Sequence, residues 1–220
     1  MCGIIGYCCT GTATRHVVNG LIELEYRGYD SAGIAILTTN GLEIHKDTGR
    51  IPDMDKRRGL SNIEANLALG HTRWATHGGV SQKNAHPHTD VRRTIAVVHN
   101  GIIENYQDLR TELLKTGVVF ESETDTEVLP HLIARQLRAG SPTLESAVAQ
   151  VCSRLGGSYA FAAISAAEPS KLVCVRKNNP LVIGCSREGN CVCSDAIALA
   201  SSAETMIVLQ NDRIAVVTAD

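Results

Sequence analysis

The sequence predicts an α+β fold, a layered sandwich of two packed sheets flanked by helices. Apolar runs of strand length gather towards the two ends of the chain, and helix-period segments separate them. Hydrophobic residues are 44% of the 220 and charged residues 20%, which suits a globular chain with a full core. No repeat, low-complexity tract or linker breaks the pattern, so residues 1–220 read as a single domain.

The first strand is Cys2–Cys9. Gly3 and Gly6 within it signal close backbone approach, of the kind a ligand makes. Thr14–Tyr26 is a helix, with Val17, Val18, Leu21, Ile22 and Leu24 on one broad face and Gly28 as its stop. Ala32–Leu37 and Leu42–His45 form a hairpin about Thr38-Thr39-Asn40-Gly41, because Asn-Gly between apolar runs favours a tight turn. Residues 52–64 are polar and basic and suit a short surface helix; Leu67–His71 is a strand. From Arg73 to Asp90 the apolar period lapses, and the segment carries Trp74, His77, His86, His88, an adjacent glycine pair and Pro87. A polar loop of that length inside a compact domain is usually functional.

Thr94–Val98 is a strand ending in His99-Asn100-Gly101. Helices follow at Asn105–Lys115, closed by Gly117, at Thr124–Arg138 and at Thr143–Leu155. Thr124 and Glu127 have the spacing of a capping box. Strands then fill the remainder, at Ser158–Ile164, Leu172–Val175, Leu181–Cys185, Cys191–Cys193, Met206–Leu209 and Ile214–Val217. Asp195–Ala200 is a short helical break among them.

A net charge of −2 leaves no basic footprint for nucleic acid and no polybasic surface for anionic lipid. No apolar run approaches the length of a membrane span, and the N-terminus lacks the layout of a signal peptide, so the expected location is the cytoplasm. The eight cysteines include no Cys-x-x-Cys pair. All but Cys2 read as small buried hydrophobes in a reducing compartment. His71, His77, His86, His88 and His99 fall close together and raise the alternative of a metal site. No His-Glu-x-x-His spacing accompanies them, and Glu104 and Asp90 have no evident partner arrangement, so neither a metal nor an organic cofactor is expected.

Cys2 is where chemistry enters. Removal of Met1 would leave one residue carrying both a nucleophile and a base. An α-amino group has a pKa of about 7.7–8.0, so part of it is an unprotonated base at neutral pH. N-terminal threonine enzymes use the same arrangement. The competing reading is a cysteine that merely opens a buried strand.

Several segments act together: Met1-Cys2-Gly3-Ile4, Arg27-Gly28-Tyr29-Asp30-Ser31-Ala32-Gly33, His71-Thr72-Arg73-Trp74-Ala75-Thr76-His77-Gly78, Asn84-Ala85-His86-Pro87-His88, His99-Asn100-Gly101 and Ser122-Glu123-Thr124-Asp125-Thr126-Glu127. On these the chain resembles the class II glutamine amidotransferases, and within them the glutaminase domain of glutamine–fructose-6-phosphate aminotransferases. The Cys-Gly-Ile start and the Asn-Gly pair are shared across the class; the Arg-Gly-Tyr-Asp and Arg-Trp-Ala-Thr-His segments resemble the narrower group. The resemblance runs over essentially the whole chain. It implies the four-layer αββα sandwich of the N-terminal-nucleophile hydrolases. It implies hydrolysis of L-glutamine to glutamate and ammonia through a γ-glutamyl thioester on Cys2. In the full-length enzymes the ammonia converts fructose 6-phosphate to glucosamine 6-phosphate on a sugar-phosphate isomerase domain, so that domain is the implied partner; a homodimer is compatible with it.

The implied roles make physical sense. Breaking an unactivated amide needs a strong nucleophile and donors aimed at the oxyanion. Asn100 offers a side-chain NH2 and Gly101 a backbone N–H, although Asn-Gly alone is also an ordinary turn. Arg73 supplies a planar fork for the glutamine α-carboxylate. Asp125 suits the α-ammonium, and equally suits a helix cap. The resemblance places Thr76 and His77 in the same pocket and Trp74 on a loop that covers glutamine. It makes Arg27 and His86 supporting residues, with a surface arginine as the bland alternative for Arg27.

Overall fold

The computed structural model describes residues 2–75, 78–200 and 202–220. The chain opens with β1 (Gly3–Cys9), α1 (Ala13–Glu23) and a 3-10 turn at Glu25–Arg27. The hairpin β2 (Ser31–Thr38) and β3 (Gly41–Thr48) leads to α2 (Ile51–Arg58) and β4 (Leu67–Arg73). After a long loop come β5 (His88–Thr89), β6 (Ile95–Ile103), α3 (Tyr106–Lys115), α4 (Val128–Arg138) and α5 (Leu144–Cys152). The remainder is β7 (Gly157–Ser165), β8 (Lys171–Lys177), β9 (Val182–Ser186), β10 (Gly189–Cys193), a 3-10 turn at Ala196–Leu199, β11 (Thr205–Val208) and β12 (Arg213–Thr218).

The strands build a seven-stranded sheet, β11-β9-β10-β1-β4-β2-β3, and a five-stranded sheet, β12-β8-β7-β6-β5. Every named pairing between strands is antiparallel. Period-2 alternation then makes the layers. In β1, Ile5, Tyr7 and Cys9 join Val17, Val18 and Leu21 of α1 and Ile51 and Met54 of α2 on one outer face. Ile4 and Cys8 face the other way, into the seam between the sheets, with Leu69, Ala96, Val98, Ala160, Ala162 and Cys174. On the far face of the second sheet, Ile95, Val97, Phe161 and Val173 meet Leu109, Leu113, Leu129, Ile133, Val148 and Val151 of α3, α4 and α5. The seam mixes small side chains such as Ala96, Ala160 and Ala162 with large ones such as Leu67, Leu69, Ile164 and Leu172. The result is helix, sheet, sheet, helix, the layered α+β sandwich that the segment pattern predicts.

Local differences from the sequence reading have physical causes. The hairpin pairs Thr38 with Gly41, so its loop is Thr39-Asn40, and Gly41 opens β3 at φ +112°. β6 does not stop before Asn100-Gly101. It continues to Ile103, pairing Asn100 with Ala160 and Gly101 with Tyr159. Gly101 makes this possible: its φ is +117°, and a Cβ there would sit 2.1 Å from the Ser158 carbonyl oxygen. The third correction concerns α4, which starts at Val128 and not at Thr124, without the expected capping box. Thr124 Oγ1 pairs instead with Ser122 Oγ and His88 Nε2, both at 3.0 Å. The Glu127 carboxylate turns back to accept from the Glu121 and Ser122 backbone N–H groups, at 2.8 and 2.7 Å. Residues 124–126 are thereby freed from the helix to form a buried turn. No helix among the described residues is long and apolar enough to cross a membrane.

Candidate active site

β1 and β4 fix the thiol. Their register pairs Gly3 with Thr72, so Cys2 falls beside Arg73 and Trp74 at the same end of the sheet. The Trp74 N–H donates to Cys2 Sγ at 3.2 Å. Burial pushes the Cys2 thiol up, and the Trp74 N–H and the Arg73 cation oppose that rise. The second sheet supplies the facing group. Asn100 on β6 donates its side-chain N–H to the Cys2 carbonyl oxygen at 3.0 Å. Arg27 Nε donates to that same oxygen at 3.0 Å. Arg27 is buried, not a surface arginine, and its Nη1 lies 2.6 Å from Asp195 Oδ2.

The segment from Arg27 to Gly33 is the scaffold of this corner. A Cβ on Gly28 would lie 2.7 Å from both the Arg73 carbonyl carbon and the Trp74 nitrogen, so only glycine lets the two backbones meet. The Asp30 N–H donates to the Arg73 carbonyl at 3.2 Å. The Asp30 carboxylate accepts from the Ala75 N–H and from Ser31 Oγ. A Cβ on Gly33 would lie 2.2 Å from the His86 carbonyl oxygen, so Gly33 lets the long loop cross the sheet. Lys46 nails that loop down: its Nζ donates to the carbonyls of Lys83, Ala85 and Pro87 at 3.3, 2.8 and 3.1 Å. Burial lowers the Lys46 ammonium to about 8.

A cavity of about 250 Å³ opens at the junction of the two sheets. Cys2, Arg27, Arg73, Trp74, His86, Asn100, Gly101 and Asp125 all line it, together with His99, Ile102, Thr124, Thr126, Asn179 and Pro180. Arg73 and Asp125 are both buried. Arg73 donates to the Gly78 and Gly79 carbonyls at 3.2 and 3.3 Å. Asp125 accepts from the Ile103 N–H at 2.8 Å, which fixes it to the end of β6 and not to the start of α4. Trp74 stands half out of the protein, 49% exposed, edge-on to Tyr29 at 5.6 Å. Thr76 and His77 lie outside the described residues.

Behind the cavity lies a cluster of buried histidines. His71 Nε2 is 3.0 Å from Asn100 Oδ1 and 3.1 Å from the His99 carbonyl oxygen. His86 Nδ1 lies 3.2 Å from the same nitrogen. His99 Nδ1 meets Thr126 Oγ1 at 2.8 Å. Burial drives His71 down to about 3 and holds His86 and His88 well below the usual imidazole range. Among the described residues, no group of three or more His, Cys, Asp or Glu is placed to hold a metal ion.

Sequence reasoning did not name His71, His99, Asp195, Asn179 or Pro180 as site residues. Asp195 lies 168 positions from its partner Arg27, and nothing local marks it. A larger groove, about 680 Å³, lies among the loops at Thr10–Thr12, Thr38–Gly41 and Glu64–Leu67. It holds no cysteine and one ionisable side chain, Glu64. Chemistry, not size, selects the site.

The description "glutamine amidotransferase domain" matches residues 71–205. Glutamine–fructose-6-phosphate aminotransferase (isomerizing) of Clostridium acetobutylicum is 44% identical over 220 residues, all of this chain and 36% of the relative. The Aquifex aeolicus protein of the same name is 45% identical over 220 residues, 100% of this chain and 37% of its own. The chain thus spans roughly a third of the length of these relatives. Among solved structures, glutamine phosphoribosylpyrophosphate amidotransferase from B. subtilis, complexed with ADP and GMP, aligns at a TM-score of 0.84 and 28% identity, covering 98% of this chain and 47% of that one. With the matched description extending over more than half of its residues, the chain belongs to the glutamine amidotransferase domain family.

Proposed function

We propose that this chain hydrolyses L-glutamine to glutamate and ammonia, with Cys2 as nucleophile. One observation carries the reading. A thiol at residue 2, amide donors at Asn100 and Gly101, and a buried Arg73/Asp125 pair of opposite charge line a single cavity. A free amino acid with a side-chain amide matches that set. Its carboxylate suits the Arg73 fork, its ammonium suits Asp125, and its amide carbon then lies towards Cys2. In this reading Trp74 covers the head-group pocket, and Arg27 and His86 support it.

The chemistry follows in balanced steps. With Met1 removed, the Cys2 amine takes the thiol proton and Sγ attacks the amide carbon. The carbonyl oxygen gains the negative charge. Asn100 spends one of its two amide hydrogens on the Cys2 carbonyl, which leaves the other, with the Gly101 N–H, for that oxyanion. The amine returns the proton to nitrogen, the C–N bond breaks and ammonia leaves. Water then attacks the thioester, the C–S bond breaks, and glutamate and the free thiol remain.

In the longer protein, the ammonia would pass to a sugar-phosphate isomerase domain and convert fructose 6-phosphate to glucosamine 6-phosphate. The support is the pair of relatives of that name, 44% and 45% identical across all of this chain. Residues 1–220 would then be one glutaminase domain at the N-terminal part of a synthase.

Glutamate release from L-glutamine by the wild type and by Cys2→Ala tests the reading. The variant is expected to lose at least about 10³-fold in kcat. A Cys2→Ala protein with wild-type turnover would sink the mechanism. Glutamine binding with no turnover in either protein would make the domain a binding module.

A further inference from the structure

The two sheets meet at the site through polar contacts of one side chain, His71, that the mechanism above leaves unused. β4 carries His71 in the seven-stranded sheet, paired with Ile4 of β1 two residues from the thiol. β6 carries Asn100 in the five-stranded sheet. His71 Nε2 lies 3.0 Å from Asn100 Oδ1 across the seam. We propose that His71 is a positioning residue for glutamine hydrolysis: its Nε2–H holds the Asn100 amide so that the NH2 group, not the oxygen, faces Cys2. The inference rests on the glutaminase reading.

The tautomer follows from the neighbours. Besides Asn100 Oδ1, His71 Nε2 faces the His99 carbonyl oxygen at 3.1 Å. A backbone carbonyl only accepts, so the proton must sit on Nε2. A lone pair there would confront two oxygens. His86 Nδ1, 3.2 Å from the same nitrogen, then faces an N–H and keeps its own lone pair. His71 Nδ1 is buried with no hydrogen-bond partner. A second proton there would be buried and unpaired, and burial accordingly holds the ring neutral.

Given that tautomer, only one orientation of Asn100 works. With Oδ1 towards His71, the N–H···O bond forms and Nδ2 reaches the Cys2 carbonyl at 3.0 Å. Flipped, the amide would set N–H against N–H at His71 and carbonyl against carbonyl at Cys2. The flip would also remove the side-chain donor from the oxyanion position. His71 touches no substrate atom in this account and acts through Asn100.

His71→Leu keeps an apolar body of similar reach and loses the donor. His71→Gln keeps an N–H near the Nε2 position. With glutamine as substrate, His71→Leu is expected to lower kcat by roughly 10²- to 10³-fold, the range for a lost oxyanion donor. Its KM should stay within about twofold, since uniform binding is untouched. The rate at which iodoacetamide alkylates Cys2 should be unchanged, because that reaction needs the thiol and no oxyanion donor. His71→Gln should recover most of the kcat. A folded His71→Leu with wild-type kcat, or a folded His71→Gln impaired as far as His71→Leu, overturns the proposal. If His71→Leu does not fold, His71→Gln and a second measurement decide. Long-range ¹H–¹⁵N spectra of histidine-labelled wild type, assigned with His71→Gln, should show His71 neutral and protonated on Nε2. Protonation on Nδ1 would refute it. The spectra are read without substrate, so a wild type inactive on glutamine would fail the functional reading and leave the His71–Asn100 geometry separately decided.

Discussion

Arg73 ends β4 as a buried guanidinium, and Asp125 brings a buried carboxylate to the same cavity. A side chain held in that way is preorganised for a planar anion. Arg73→Ala is expected to raise the KM for glutamine at least about tenfold with a smaller change in kcat, the signature of lost uniform binding. Arg73→Lys should recover little of it, because an ammonium is a point charge without the fork. Steady-state kinetics with a thermal melt as control checks this, and an unchanged KM would remove the head-group role. At this scale several of the residues that touch the cavity are legible, although His99, Asn179 and Pro180, which also line it, are not. Cys2, Arg73, Trp74, Asn100, Gly101 and Asp125 sit in short motifs that no simple helix or strand pattern explains, and the structure brings all of them to one place. The residues that orient them were not legible as such. His71 reads as the end of a strand and as one of the histidines of the metal alternative, not as a partner of Asn100, and Asp195 as the start of a short helical break, because their partners come from other strands and turns.

At the scale of elements, glycines decide how closely backbones cross. Gly28→Ala would drive a methyl group against the Arg73–Trp74 peptide, 2.7 Å from its atoms. That peptide holds Cys2 Sγ, so the strain falls on the nucleophile's own contact. The expected result is a loss of about 1–3 kcal/mol in stability and a fall in kcat. Gly11→Ala is the control: nothing lies within 4 Å of its Cβ, so stability should hold or rise by about 0.4–1 kcal/mol. Denaturant melts and turnover on both variants separate the two cases. Most elements could be placed from periodicity alone, since buried faces repeat every second residue in strands and every third or fourth in helices. The failures share a cause. Thr124 and Glu127 have cap spacing, but tertiary partners, His88 and the 121–122 backbone, take their side chains. Asn100-Gly101 has turn composition, but pairing with β7 carries the strand through it.

Across the whole molecule, the polar seam makes stability depend on acid. His71, His86 and His88 are all held neutral by burial. In the unfolded chain each titrates near a pKa of about 6.5. Below that value the unfolded state binds more protons than the folded one, so stability falls as pH falls. Above it the contribution is constant. Each such histidine adds a slope of up to about 1.4 kcal/mol per pH unit. Burial alone would raise the Glu127 carboxyl, but the His131 ring 3.7 Å away and hydrogen bonds from Ser122 Oγ and the 121–122 backbone outweigh it and hold it low. Its contribution is therefore present above the unfolded value, about 4.3, and is lost below it. Urea midpoints should drop from pH 7.5 to pH 5.5 and fall further below pH 4.5. A midpoint that stays level over the first interval would refute the neutral burial of the histidines.

The pairing of β1 has a consequence for the order in which the chain is made. The strand that carries Cys2 into place is the first to be synthesised, yet one of its two neighbours in the sheet is β10, whose residues 189–193 are among the last of these 220. The other neighbour, β4, ends at residue 73, and the sheet that carries Asn100 is completed by β7, β8 and β12, the last at residues 213–218. Contacts this distant in sequence form slowly, because the loop must close before the contact is made. Until residues 189–193 and 213–218 have been made, the thiol lies beside sheets that still lack strands. On the glutaminase reading, a product cut short before residue 189 lacks a strand that flanks the thiol and is expected to leave glutamine unhydrolysed.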